Sequence, residues 1–435
     1  MSLLKEVLGG EVYPAVGCTE PVACALATAM AAEHLPGPVV HFDLKVDMGT
    51  FKNGAAVTVP HAGGAKGNLI AAALGAVLAR SEKKLGLLAD VTPQRLADAR
   101  ALLSHGAFSY ETIPGERDLR IDAFVRGNGH SSRCVISMGH TNVERIERDG
   151  EITYHRPSAA DAKDQGEESV TYRDLLRRMT LSDLLAPVRA IDEEDRSYLR
   201  QGIEMNLAMA EHGDEVSGAA RQLRRMREIG VLAEDLFYRV KLRVASAVDA
   251  RMAGVPAPVM TSGGSGNQGI LAILVPHLVG TERGIDAERI LESIAAAHLI
   301  NAYIKSFVGE LSVICGCAVA AACAAAVAIV YQHQGINLKM ITAAVNNVVG
   351  DLSGLICDGA KPGCTMKTVS GVDAAMRSAF MAIEGFGLDD EDGLLGQTAE
   401  ETITNLGRIT LEGMFPVDPT LVSILGQKAA RAGTM

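Results

Sequence analysis

Between residues 40 and 47 apolar and polar side chains alternate, with Val40, Phe42, Leu44 and Val46 on one side and His41, Asp43, Lys45 and Asp47 on the other. That period of two predicts a strand with one wet face. The alternation recurs from Leu119 to Val125 and around Cys134 to Met138. Val143 to Tyr154 reads as a hairpin turning at Asp149-Gly150, two residues that tolerate positive φ. Together these runs predict an antiparallel sheet. Helical spacing over Lys66–Arg80 and Thr92–Leu103 places helices between the first strand and the rest, so residues 35–157 are expected to form an α+β domain.

From Tyr172 onward the pattern turns helical. Arg196–Ala210, Val216–Ile229 and Leu236–Ala253 each carry apolar residues three and four apart, and no strand pattern of comparable quality follows. Roughly the last 180 residues alternate Gly-rich loops with Ala-rich helices, as in a bundle whose backbones approach closely. The expected fold class is therefore α+β: an α/β unit with an antiparallel sheet, then a large Ala-rich all-helical domain over 170–435. The charged stretch Arg156–Ser169 reads as the linker between them, and residues 1–34 as an N-terminal helical segment packed on the helical domain.

Composition narrows the function classes. Trp is absent and aromatics make up only 4% of the chain, so the core must be built from small and aliphatic side chains. A net charge of −11 with no basic stripe argues against a nucleic-acid partner. The N-terminus lacks the apolar region and cleavage site of a secretory signal, which predicts a cytoplasmic protein. Eight Cys in that reducing compartment read as ligands, catalytic thiols or small core residues rather than disulfides. The uncharged stretch Leu311–Tyr331 is long enough to span a bilayer. Its Ala, Gly and Cys partition weakly into lipid, however, and it lacks interfacial anchors, so it is expected to be a buried central helix and no membrane partner is expected. Ala-rich surfaces suggest a homodimer.

Three constellations carry candidate chemistry. Cys315, Cys317 and Cys323 fall on the Ala-rich helix, and Cys357 and Cys364 flank a Gly/Pro loop in GLICDGAKPGCTMKT. Thiolates select soft centres, and the short CxxC pairs of structural zinc are missing. Ligation is the favoured reading for Cys357 and Cys364, while Cys323 and Cys24 read as small buried hydrophobes. In GCTEP, Thr19 can cap the helix that follows and Pro21 suits its first turn, leaving Cys18 off a positive helix end. That position lowers a thiol pKa and would make Cys18 a base or nucleophile; the alternative is that it fills a turn. The third is TSGGSGNQG, a literal GxGxxG at Gly264, Gly266 and Gly269. No convincing strand precedes it and no βαβ unit follows, so the dinucleotide reading is rejected. A substrate carboxylate held at a helix start by backbone N–H groups, with Thr261, Ser262, Ser265 and Asn267 as added donors, fits better than a plain loop. His140, in GHTN, reads as either a proton shuttle or a satisfied strand-end residue.

GCTEP, KNG at Lys52–Gly54, HTN, GGSGNQG and CDGAKPGC occur here in one order. In that combination the chain resembles, over nearly its full length, the L-cysteine desulfidase family, relatives of the iron–sulfur L-serine dehydratases that use no pyridoxal phosphate. The resemblance implies a 4Fe-4S cluster held by three protein thiolates with one iron open to substrate. The matching positions are Cys315, Cys357 and Cys364, with Cys317 an alternative to Cys315. It also implies that Cys18 is the catalytic base. Lys52, Asn53 and His140 are read, beside the Gly-rich loop, as substrate-binding residues, and Lys52, Lys66, Lys305 and Lys367 as candidates to neutralise the substrate carboxylate or the charge of the cluster. The implied reaction is β-elimination from a small amino acid: L-cysteine to pyruvate, ammonia and sulfide, or L-serine by the same mechanism. A non-catalytic iron–sulfur or redox sensor is the rival of another class, and it would survive loss of Cys18.

Overall fold

The computed structural model describes residues 3–116, 118–156 and 172–432. The expected linker lies, after Arg156, outside the described residues, as do the boundaries at 157 and 170. The fold class is α+β. A short strand, β1 (Pro14–Val16), precedes the six strands of the main sheet: β2 (His41–Val46), β3 (Phe108–Thr112), β4 (Arg120–Gly127), β5 (His130–Ser137), β6 (Val143–Arg148) and β7 (Glu151–His155). Their order is β3-β2-β4-β5-β6-β7. Alternation did its work: Phe42, Leu44, Val46, Ile121, Ala123, Val125, Cys134 and Ile136 are all buried. The β6–β7 turn is Asp149-Gly150, with φ of 52° and 86°.

The sheet is mixed rather than antiparallel throughout. β3 pairs parallel with β2, Phe108 opposite Phe42. This edge strand, FSYET, is half-buried along most of its length; Phe108 and Tyr110 pack against the core while Ser109 and Glu111 meet Asp43 and Lys45 on the polar face.

The N-terminal segment does not pack as one piece on the helical domain. The helix Leu3–Glu11 does, burying Leu4, Val7 and Leu8 in that core. The helix Thr19–Ala32 instead joins the core of the α+β unit, packing on Asn68–Leu78 and on β4 and β5. Small side chains on both helices let their backbones meet. β1 then pairs antiparallel with β8 (Pro258–Met260), tying the GCTEP turn to the helical part.

The helices Glu193–His212, Ala219–Glu228 and Leu236–Met252 lie where periodicity predicts them. At the centre of the bundle runs Ala320–Gln334, buried from Ala320 to Gln332. Leu311–Tyr331 is therefore not one helix: residues 311–319 form a loop, and Cys315 and Cys317 lie on it, ahead of the helix. The cause is competing hydrogen bonding. Cys315 N donates to Leu355 O and Cys357 N to Val313 O, drawing this loop into an antiparallel bridge with the Cys357 segment. Among the described residues no helix is long and apolar enough to cross a membrane.

Candidate active site

That bridge seats Cys315 and Cys357 on adjoining strands of chain. Cys364 opens the helix Cys364–Ile383, just beyond the CDGAKPG turn. Gly359 lets this turn dock, because a Cβ there would lie 2.1 Å from the carbonyl oxygen of Lys52. Cys315, Cys317, Cys357 and Cys364 line one cavity, and Lys367 stands beside them with Nζ on Ile356 O and on Asp358. Burial pushes the Cys357 thiol up to about 11 and raises Cys364 as well. Cys315 is drawn down by a hydrogen bond from Cys317, whose own pKa rises. No three His, Cys, Asp or Glu side chains among the described residues converge to hold a single metal ion. An all-thiol donor set lining one cavity is of the kind that suits a soft metal centre.

The opposite wall is built from the α+β unit. Cys18 is itself the N-cap of Thr19–Ala32 and makes no side-chain cap bond; Thr19 is the first helical residue. The Cys18 pKa is raised, not lowered. Burial comes first, and the Glu20 carboxylate second; Arg251 opposes them without prevailing. Cys18 Sγ donates to Glu20 Oε2 at 2.7 Å, and Asn53 Nδ2 donates to Glu20 Oε1 at 2.8 Å. Burial alone would raise Glu20, but His140 alongside and the bonds from Cys18 and Asn53 hold it well below the usual carboxylate range. His140 Nε2 is 3.9 Å from Glu20 Oε1 and has no hydrogen-bond partner. Asn53 Oδ1 in turn lies 4.0 Å from Cys357 Sγ. A chain of contacts thus runs from Cys18 through Glu20 and Asn53 to the thiol wall.

The third wall is the Gly-rich loop. Ser265 is the N-cap of the helix Gly266–Glu282 and makes no side-chain cap bond. Gly269 allows the first turn to lie against β8, since a Cβ would meet Met260 O at 2.0 Å. The glycine spacing that imitates a dinucleotide motif therefore serves helix-to-strand packing and the shape of this wall. Ser265 and Asn267 line the cavity; Thr261 and Ser262 do not. Thr261 Oγ1 bonds Glu11 O and Tyr13 N, locking β1 to β8, and Ser262 Oγ is held by His298 and Asn301. Lys52 is also turned away, its Nζ on Asp418 Oδ1 at 2.7 Å and on Ser312 O. Asn53, His140, Cys18, Cys315, Cys357 and Cys364 all reach the cavity. Sequence reasoning singled out Lys305, which lines the cavity, but missed Glu20, Arg251 and Gln268. Glu20 and Gln268 were in view inside GCTEP and TSGGSGNQG, whereas Arg251 occupies an unremarkable helical position.

This fold and cavity define a two-part thiol-rich site. The sequence profile of the serine dehydratase alpha chain family matches residues 82–423. A UPF0597 protein of Geobacter sulfurreducens is 48% identical over 98% of this chain and 99% of its own length. Similar relatives occur in Elusimicrobium minutum, 42% identical over 98% of this chain and all of the relative, and in Clostridioides difficile, 36% over 97% and 98%. The chain belongs to the serine dehydratase alpha chain family. Membership supports an amino-acid lyase, and the relatives' names state no substrate.

Proposed function

We propose that this protein is an iron–sulfur-dependent lyase that removes a β-substituent from a small amino acid, with L-cysteine, cleaved to pyruvate, ammonia and sulfide, as first substrate. The observation that carries the reading is the convergence of Cys18, Glu20 and His140 from one unit with Cys315, Cys357 and Cys364 from the other on one cavity. The three thiols would hold the cluster, which when bound supplies a Lewis-acidic iron facing the substrate. Lys305 and Lys367 both spend Nζ on backbone carbonyls, which leaves neither disposed to form a Schiff base.

The protein's own groups supply the proton transfers. Cys18 carries its proton in the resting site, donated toward Glu20, and Glu20 lies within reach of the free Nε2 of His140. Passing that proton to Glu20 leaves a thiolate at Cys18 Sγ to take the substrate's α-proton. The β-sulfur leaves with the bonding pair, and the aminoacrylate product hydrolyses to pyruvate and ammonia. A second reading, dehydration of L-serine by the same groups, is favoured by the description of the matching family.

The test is anaerobic reconstitution with iron and sulfide, then assays for pyruvate and sulfide from L-cysteine and pyruvate from L-serine. Cys357→Ala is expected to lose both iron and turnover, and Cys18→Ala to keep iron and lose turnover. Pyruvate from L-serine alone makes the protein a dehydratase. A loaded cluster with no pyruvate from either amino acid would refute the lyase reading and leave the sensor.

A further inference from the structure

Arg251, near the end of the helix Leu236–Met252, is only 3% exposed. Its Nη1 donates to Asn267 Oδ1 at 2.9 Å and its Nη2 to the carbonyl of Gly17 at 2.6 Å, while Nε has no partner. Both acceptors are neutral. No carboxylate pairs with it among the described residues, and the partners of Glu20 are Cys18, Thr19, Asn53 and His140. A guanidinium withdrawn from water without an anion is costly.

Its surroundings add to that cost. The guanidinium packs on Gly266, the first residue of the helix Gly266–Glu282, where a Cβ would stand 2.3 Å from Nε. A cation thus lies at the positive end of a 17-residue helix. Both features border the cavity, together with Lys305. Glu20 and Glu310 line the same cavity, but Glu20 is taken up by Cys18 and Asn53 and Glu310 by Arg173, so neither pairs with Arg251, and an anion entering beside the guanidinium and the helix end is favoured.

We propose that Arg251 and the N-terminus of the Gly266–Glu282 helix form the site for the substrate's carboxylate. Through the carbonyl of Gly17, Arg251 also fixes that carboxylate relative to Cys18, the next residue. The ligand class is a small α-amino carboxylate, and an amine of equal size without the carboxylate is not held. Identifying this anion as the substrate rests on the lyase reading above; the anion site itself rests on the buried cation and the helix end.

The test uses L-alanine, which has no β-leaving group and is not consumed, against ethylamine, its decarboxylated counterpart. Calorimetric titration of the reconstituted protein is expected to show L-alanine binding and ethylamine not. Arg251→Gln should weaken L-alanine binding about 10- to 100-fold, the range for a lost charge-assisted bond. Arg251→Lys, keeping the charge but not the fork, should recover part of it. Asn267→Asp supplies an internal counter-ion, so it should weaken L-alanine equally while folding at least as well. Equal affinity of the wild type for the two ligands, or unchanged L-alanine affinity in Arg251→Gln and Asn267→Asp, would overturn the site. A clamp that only holds Gly17 would lower both affinities alike. Carboxylate-dependent binding without pyruvate from L-cysteine or L-serine would uphold the anion site while removing the lyase reading.

Discussion

Cys18 sits where two fields oppose each other. The positive end of the Thr19–Ala32 helix favours its thiolate, while burial and the Glu20 carboxylate favour its thiol, and the second pair wins. Replacing Glu20 by Gln removes the charge but keeps an acceptor, so the Cys18 pKa should fall. The pH midpoint of Cys18 alkylation, followed by mass spectrometry, is expected to move to lower pH; an unchanged or higher midpoint contradicts this account. His298 gives a second prediction. Burial takes its pKa down to about 3, below the 6.5 of an exposed imidazole. The unfolded chain therefore binds a proton that the folded chain refuses between those values. Stability contributed by the neutral ring is full above pH 6.5 and is lost as pH falls toward 3, by at most about 1.4 kcal/mol per pH unit. His298→Gln should flatten urea-denaturation stability across that window, and an identical slope in both proteins would remove His298 from the acid response. The same residues show what sequence reveals at this scale. Cys18, His140 and the thiols stand in dense motifs. Arg251 and Lys305 do not, because nothing in a helical pattern separates a buried cation from one on a wet face.

Most elements were legible where burial imposed a period, although the short alternating run of β3 was not singled out. β2 and β4 alternate cleanly because one face of each is buried, whereas β5 buries Cys134, Val135 and Ile136 in succession. β1 and β8, three residues each, are too short to show any period. The Ala-rich stretch near Cys315 failed for another reason: Ala, Gly and Cys suit a helix and a tight loop equally, so only the bridge to Ile356 marks where the helix cannot begin. The Thr19–Ala32 helix was assigned to the wrong core because an all-round apolar helix carries no face to show which core it joins. Its true contact is tight enough to test. A Cβ on Gly75 would stand 2.1 Å from Ala25 O. Overpacking costs about 1–3 kcal/mol, against a helix-propensity gain of up to about 1 kcal/mol for Gly→Ala. Gly75→Ala should therefore be destabilising by about 1–2 kcal/mol in urea denaturation. It should also displace Cys18, lowering kcat while iron content stays at the wild-type level. A more stable Gly75→Ala protein would show that the helices do not need this approach.

At the scale of the whole molecule, the site exists only while the two units stay in register, and Lys52 is the side chain that ties them. Its side chain is fully buried, its Nζ pairs with Asp418 on the helix Val417–Ala432, and it also reaches Ser312 in the loop leading to Cys315. Its carbonyl lies under Gly359 of the CDGAKPGC turn. One residue thus touches the α+β unit, both thiol segments and the last helix, which explains a Lys in KNG without any contact to substrate. Asp418→Ala leaves this ammonium buried and unpaired, which should cost about 3–5 kcal/mol. A buried pair replaced as a unit by apolar residues of similar volume is often nearly neutral. The double variant Lys52→Met with Asp418→Leu should therefore regain most of the loss, and with it the iron that Asp418→Ala fails to retain. Chemical denaturation and iron content of the wild type, Lys52→Met, Asp418→Leu and the double variant make a complete cycle, with Asp418→Ala measured beside it. A single-variant loss below about 0.5 kcal/mol, the range of an ordinary surface substitution, would mean that the register of the two units is held elsewhere.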